Sequence, residues 1–336
     1  MKNMLISPFK KPPTTPPEEH PRLLFRAGDL PRIRENLTLE ENALAADLFR
    51  ELCSLPVTGR GATPEYGSYD LGECLACEAL AFSAALSGKR EDAQRAIDAV
   101  DILLGSFDAP AGNMKARWGG HVIFVCAEAY DWCFGFLSDS RKAAWTERCE
   151  EIASAYFEMG YPPAKQAALS GHGTEAQLLR DLFAFSVAVY GERPDIYDWC
   201  AGRLFDEYVP NVRRYLAGGA HCQGPTYGSY RWSWLAWSEI IFSSMTGKEL
   251  FGCLIPTAEW LLYMQRPDGE ALRLGDDFNE TKSEYNRRAP LTVPFYLAYA
   301  LSGRPEFKNA VLSGLCRQYL LPDARGMDFY SESSWG

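Results

Sequence analysis

The chain has 336 residues, 47% hydrophobic and 23% charged, which is a globular composition long enough for one large domain or two. Its 34 Lys and Arg face 44 Asp and Glu, a net charge of −10 with no long basic run, which argues against nucleic-acid partners and disfavours anionic ligands unless cations are focused locally. No stretch approaches the roughly 18 apolar residues of a membrane span, so no membrane partner is expected. The start, Met1 to Ser7, lacks the apolar core of a signal peptide, and most of the ten cysteines lie in apolar helix-like stretches. A reducing, cytoplasmic location is therefore expected over a secreted or periplasmic one.

In chain order, residues 1–19 form a proline-rich tail, extended and either disordered or surface-hugging. From about residue 30 the pattern is almost all helical, and period-2 strand signals are scarce. Cys74 and Cys77 form a lone C-x-x-C. On a helix they share a face, and without a second pair they read as core rather than as a metal site. No metal ligand set is expected in the chain.

Helical runs break at a repeated signal. The breaks are Ser87-Gly88-Lys89-Arg90, Leu137-Ser138-Asp139-Ser140, Tyr190-Gly191-Glu192-Arg193-Pro194, Thr246-Gly247-Lys248-Glu249 and Ser302-Gly303-Arg304-Pro305. Gly closes one helix, and Pro, Ser or an acid opens the next. Corners about fifty residues apart describe a repeated two-helix unit that must stack on its neighbours to bury its apolar face. The expected fold is all-α, an incomplete (α/α) toroid of about five helical hairpins over residues 20–336. A toroid gathers the loops opposite the corners around a cleft.

Glycine-flanked histidines fall at such loops. Ser170-Gly171-His172-Gly173-Thr174-Glu175 puts a carboxylate three residues after an imidazole, close enough to touch on a helix and to favour the ring's cationic form. Gly218-Gly219-Ala220-His221-Cys222-Gln223-Gly224-Pro225-Thr226-Tyr227-Gly228 presents Tyr227 in a Gly/Pro turn, either exposed or packed on Trp232. Trp232, Trp234 and Trp237 offer a sugar-stacking platform or plain core. His121, after Trp118-Gly119-Gly120, reads as a helix-start residue with a capping or cleft-wall role. Asp276 and Asp277 sit in an acidic Gly-rich loop that can hold a cation, orient a base, or simply turn the chain. There is no phosphate loop, dinucleotide fingerprint or H-E-x-x-H helix.

At these residues the sequence resembles the heparinase II/III-like polysaccharide lyases, most closely the heparinase II branch. The resemblance runs through His20-Pro21-Arg22-Leu23-Leu24-Phe25, Ala129-Tyr130-Asp131-Trp132-Cys133 with Leu137-Ser138, and Arg266-Pro267-Asp268-Gly269 with Leu274-Gly275-Asp276. It implies a toroid followed by a large antiparallel β-sandwich region, and β-elimination on a uronic-acid polysaccharide such as heparin, heparan sulfate or alginate. It implies catalytic roles for His172, Glu175 and Tyr227, matching the family's His, Glu and downstream Tyr. His172 neutralises the uronate carboxylate, Glu175 positions the ring or shares a proton, and Tyr227 moves the C5 proton, the O4 leaving-group proton, or both. His221 and Arg231 are expected as anion contacts, with Trp232, His121, Trp118 and Asp276 as further substrate-binding positions. The family's β-sandwich, a further catalytic His and any structural zinc or calcium would lie beyond Gly336. This chain alone is therefore expected to need no cofactor and to show weak or no lyase activity. Two other readings are open: a toroidal glycoside hydrolase on unsaturated uronides, with Glu175 paired to Asp276 or Asp277, and a non-catalytic glycan-binding scaffold.

Overall fold

The computed structural model describes residues 4–59, 71–108, 115–162, 177–265, 272, 274–275 and 284–314. Among them every regular element is helical and no β-strand forms. Two short helices, α1 (Leu30–Asn36) and α2 (Ala43–Ser54), lead into helical hairpins. The first pairs α3 (Leu71–Ser87) with α4 (Arg90–Ser106), and the second α5 (Lys115–Trp132) with α6 (Asp139–Tyr156). The third joins a π-helical segment (Gln177–Leu182) and α7 (Phe183–Ala188) to α8 (Pro194–Arg203). A second π segment (Leu204–Tyr208) and α9 (Val209–Tyr215) follow. The last two hairpins pair α10 (Gly224–Thr246) with α11 (Leu254–Tyr263), and α12 (Glu284–Ser302) with α13 (Pro305–Gly314).

The corners between paired helices fall where the sequence places them. Ser138 caps α6 by accepting from the Arg141 amide at 3.3 Å. Gly247 ends α10 in the left-handed region at φ +67°, which a glycine enters without penalty. Pro194 opens α8, where its missing N–H costs nothing.

Each hairpin's first helix packs on the first helix of the next: α3 on α5, α5 on the π segment and α7, the π segment on α10, and α10 on α12. Among those first helices, α7 and α10 are largely buried. All six residues of α7 are buried, and α10 buries Trp232, Trp234, Ala236 and Ile241. The outer helix α4 is one-sided. α4 buries Ala93, Ala96, Ile97, Val100, Leu103 and Leu104, the spacing of a single apolar stripe. Cys74 and Cys77 lie fully buried on α3, where burial pushes the Cys77 thiol up and leaves it inert. Among the described residues no three His, Cys, Asp or Glu are grouped to hold a metal ion, and no helix is long and apolar enough to cross a membrane.

The proline-rich tail lies along the third hairpin. The Leu5 and Lys10 amides donate to Asp195 at 2.7 Å and to Asp206 at 2.9 Å. The Tyr197 hydroxyl donates to the Thr14 carbonyl at 2.8 Å, and Phe9 stands edge-on to Trp199 at 5.1 Å. The tail ends in a clasp. Buried Asp131 on α5 accepts from the backbone amides of Arg22 and Leu23, both at 2.8 Å, and sits 2.6 Å from His20 Nδ1. The Trp132 indole donates to the Leu23 carbonyl at 3.2 Å. The His20 ring stacks on Phe134 at 3.7 Å. Two motifs more than a hundred residues apart in sequence are thus halves of one structural unit.

Candidate active site

In each hairpin the outer helix carries the chain back, so the inner helices begin at a common end. His221 precedes α10 at that end. Its side chain is buried, edge-on to Tyr215 at 5.3 Å, and its Nδ1 accepts from the Gln223 amide at 3.2 Å. Burial, then the nearby Arg231 charge, pushes its pKa down to about 4, so the ring is neutral at pH 7. A neutral imidazole next to a cation is a poor anion contact, and His221 instead shapes the turn.

The turn is locked from outside. Gly224 and Gly275 both hold left-handed φ, +77° and +76°. A Cβ on Gly224 would overlap the Leu274 carbonyl oxygen, and one on Gly275 would come within 2.5 Å of the Gln223 carbonyl carbon. Glycine is required at both positions by sign of φ and by closeness of approach. Leu274 itself is more than half exposed.

Tyr227 follows in the first turn of α10 and is half-buried. Arg231, one turn on, lies below it with its guanidinium carbon 5.7 Å from the Tyr227 ring centre and 5.3 Å from that of Tyr230. Arg231 is only 2% exposed, so it meets Tyr227 rather than open solvent. A cation over a ring face is attractive.

His221, Tyr227 and Arg231 are therefore brought together. Trp232 points away: it is fully buried, and its indole donates to the Leu254 carbonyl at 2.9 Å. It is a core residue with no face open to a sugar. Trp118 is likewise buried on α5. His121 lies in the second turn of α5 rather than at its cap, and its Nε2 is 2.8 Å from Glu78 Oε1. Burial lowers its pKa against the opposing Glu78 hydrogen bond. His172, Glu175 and Asp276 lie outside the described residues.

The sequence reading passed over a buried polar group between α3, α5 and the π segment. Arg180 donates through Nε and Nη2 to Asp181 Oδ1 at 2.8 and 2.6 Å. Its guanidinium lies 4.2 Å from the Phe124 ring and 5.2 Å from that of Trp234, which ties the π segment to α5 and α10. Burial outweighs Arg180 and raises Asp181 to about 6. Its Oδ2, without a hydrogen-bond partner, occupies the space that a Cβ on Gly120 would need. Glu128 is also buried, with an unpartnered Oε2 and a pKa raised by burial and then by Glu78. The available signal was a charged pair inside the apolar run Leu178 to Phe183, facing the Gly119-Gly120 step. π-helical turns of this kind recur at functional sites, and this one begins two residues after Glu175. No protein-family model and no curated protein matches the chain.

Proposed function

We propose that the chain is the toroidal portion of a polysaccharide lyase that cleaves a uronate-containing polysaccharide by β-elimination. The neighbour-to-neighbour packing of five first helices, each backed by an outer partner, supports an incomplete (α/α) toroid. The single observation that carries the chemical reading is Tyr227, half-exposed at the start of an inner helix with the Arg231 guanidinium beneath its ring.

In this reading Tyr227 removes the C5 proton of the uronate and returns a proton to O4 as the glycosidic bond breaks. Arg231 acts through Tyr227, stabilising the phenolate form, rather than by holding substrate. His172 neutralises the substrate carboxylate, which acidifies the C5 proton, and Glu175 orients that ring. In sequence, His172 and Glu175 precede the π segment that carries the Arg180–Asp181 pair. The substrate is an anionic polysaccharide, whose carboxylate His172 neutralises in a chain of net charge −10.

The test is incubation with heparin, heparan sulfate and alginate, read by the ultraviolet absorbance of the unsaturated uronate that elimination leaves. Absorbance gain with at least one of them, lost in Tyr227→Phe, supports the reading. Reducing sugar released without absorbance gain assigns the chain to hydrolysis instead. Glycan affinity without turnover, unchanged in Tyr227→Phe, assigns it to binding alone.

A further inference from the structure

The clasp at the end of the tail fixes the state of His20. Its Nδ1 lies 2.6 Å from Asp131 Oδ1, and its Nε2 lies 2.6 Å from Arg22 Nη2. A guanidinium only donates, so Nε2 meets Arg22 with its lone pair. The ring's one proton is then on Nδ1, which donates it to Asp131. Arg22 and Asp131 are themselves buried, and Asp131 Oδ2 is taken by the amides of Arg22 and Leu23. His20 is therefore held neutral, in one tautomer, by contacts on both of its nitrogens.

The surroundings leave no place for a second positive charge. The His20 ring stacks on Phe134, 3.7 Å between centres and 7° from parallel. The Lys142 ammonium, on α6, lies 3.5 Å from the centre of that same Phe134 ring, so it covers the opposite face. Asp139 offsets Lys142 from 3.8 Å. Glu192, at the α7–α8 corner, offsets Arg22, and Arg26 farther along the chain opposes it. Tyr130, its phenol kept protonated by burial and then by Glu192, carries no charge. Glu18 and Glu19 of the tail are exposed, with Glu19 3.9 Å from Arg26. Among the described residues, Asp131 is the one carboxylate paired with the imidazole, and it already faces the Arg22 guanidinium at 3.8 Å.

We propose that the clasp is an acid-sensitive latch for the tail. A proton taken up at Nε2 turns an acceptor into a donor aimed at the Arg22 guanidinium and sets two cations on one buried carboxylate. The hydrogen bond from Arg22 is lost, the ring leaves its seat, and residues 4–19 loosen from the third hairpin. Imidazole is the side chain that ordinarily changes charge between pH 5 and 8. The grip of Asp195 on the Leu5 amide does not fail in that range: against burial, Arg193 and then the Leu5 amide hold that carboxyl below its usual value. The latch stands whether or not the chain is a lyase.

Hydrogen–deuterium exchange of the full chain at pH 7.5 and at pH 5.5, corrected for the intrinsic pH dependence of exchange, tests this. Protection of residues 4–19 is expected to fall at least tenfold at pH 5.5 while α4 stays protected. His20→Asn keeps a donor for Asp131 and an acceptor for Arg22 but takes up no proton, so its tail stays protected at both pH values. His221→Asn, which alters a second buried histidine, loosens like the unmodified chain. No loss in the unmodified chain, or an equal loss in His20→Asn, overturns the proposal. If the tail of His20→Asn is already unprotected at pH 7.5, NMR of the His20 ring nitrogens in the unmodified chain decides. A proton on Nδ1 at pH 7.5, with Nε2 protonated in step with loss of tail protection, supports the latch. A proton on Nε2 at pH 7.5, or a ring still neutral when the tail has loosened, overturns it.

Discussion

Gly224 and Gly275 meet backbone to backbone, each in the left-handed region and each leaving no room for a methyl group. This contact pins the start of α10, and with it Tyr227, against the 274–275 segment. Replacing either glycine by Ala adds a left-handed penalty of roughly 1–2 kcal/mol and overpacking of about 1–3 kcal/mol. Gly224→Ala and Gly275→Ala are each expected to lower the unfolding midpoint and to cut turnover further than stability explains, because Tyr227 moves with the turn. Thermal unfolding alongside the elimination assay checks both. Full activity in either variant would show that the contact does not position the site.

His221 has a pH signature. Its pKa in the folded chain is about 4, against an ordinary 6.5. As pH falls below 6.5 the unfolded chain takes up the proton first, so stability declines from about pH 6.5 to pH 4. The loss approaches about 3 kcal/mol and is absent above that window. Urea unfolding across this range should show the decline, and His221→Asn should reduce it. A ring titrating near 6.5 by NMR would contradict the buried placement.

Asp131 is the anchor of the tail. It is buried and accepts two backbone amides besides its contact with His20. Asp131→Ala strands those donors and should cost about 3–5 kcal/mol, read as a lower urea midpoint and as faster proteolysis within residues 4–19. A midpoint shift under about 0.5 kcal/mol, the range of ordinary surface changes, would mean that the tail docks without the clasp.

Trp232 and Tyr227 separate packing from chemistry on one helix. Trp232→Ala empties a fully buried position and should cost about 3–5 kcal/mol. Tyr227→Phe removes one hydroxyl from a half-buried residue and should leave stability within about 1 kcal/mol. Equal destabilisation by the two would place Tyr227 in the core and remove it from the mechanism.

The helix corners were legible because each rests on local chemistry: Gly247 on a left-handed cap, Ser138 on a side-chain cap, Pro194 on a preset φ. Sequence also grouped His221, Tyr227 and Arg231, since a Gly-rich turn and one helical step keep them near. It did not separate Trp232 from Arg231. α10 is apolar on nearly every side, so periodicity does not tell which face meets the core and which meets the cleft. Nor did it join His20 to Asp131, Arg180 to Phe124 or Asp181 to Gly120, contacts that depend on how separate helices pack. Glu128 carries no sequence signal of burial; packing of neighbouring helices encloses it and Asp181 alike.

Tyr227 as the base of a β-elimination is checked by the ultraviolet absorbance of the unsaturated uronate. The expected result is a slow gain with at least one of heparin, heparan sulfate and alginate for the unmodified chain, in keeping with the weak activity expected of the helical portion alone, and none for Tyr227→Phe, whose stability stays within about 1 kcal/mol. A gain that persists in Tyr227→Phe, or glycan cleavage with no absorbance change, would contradict it.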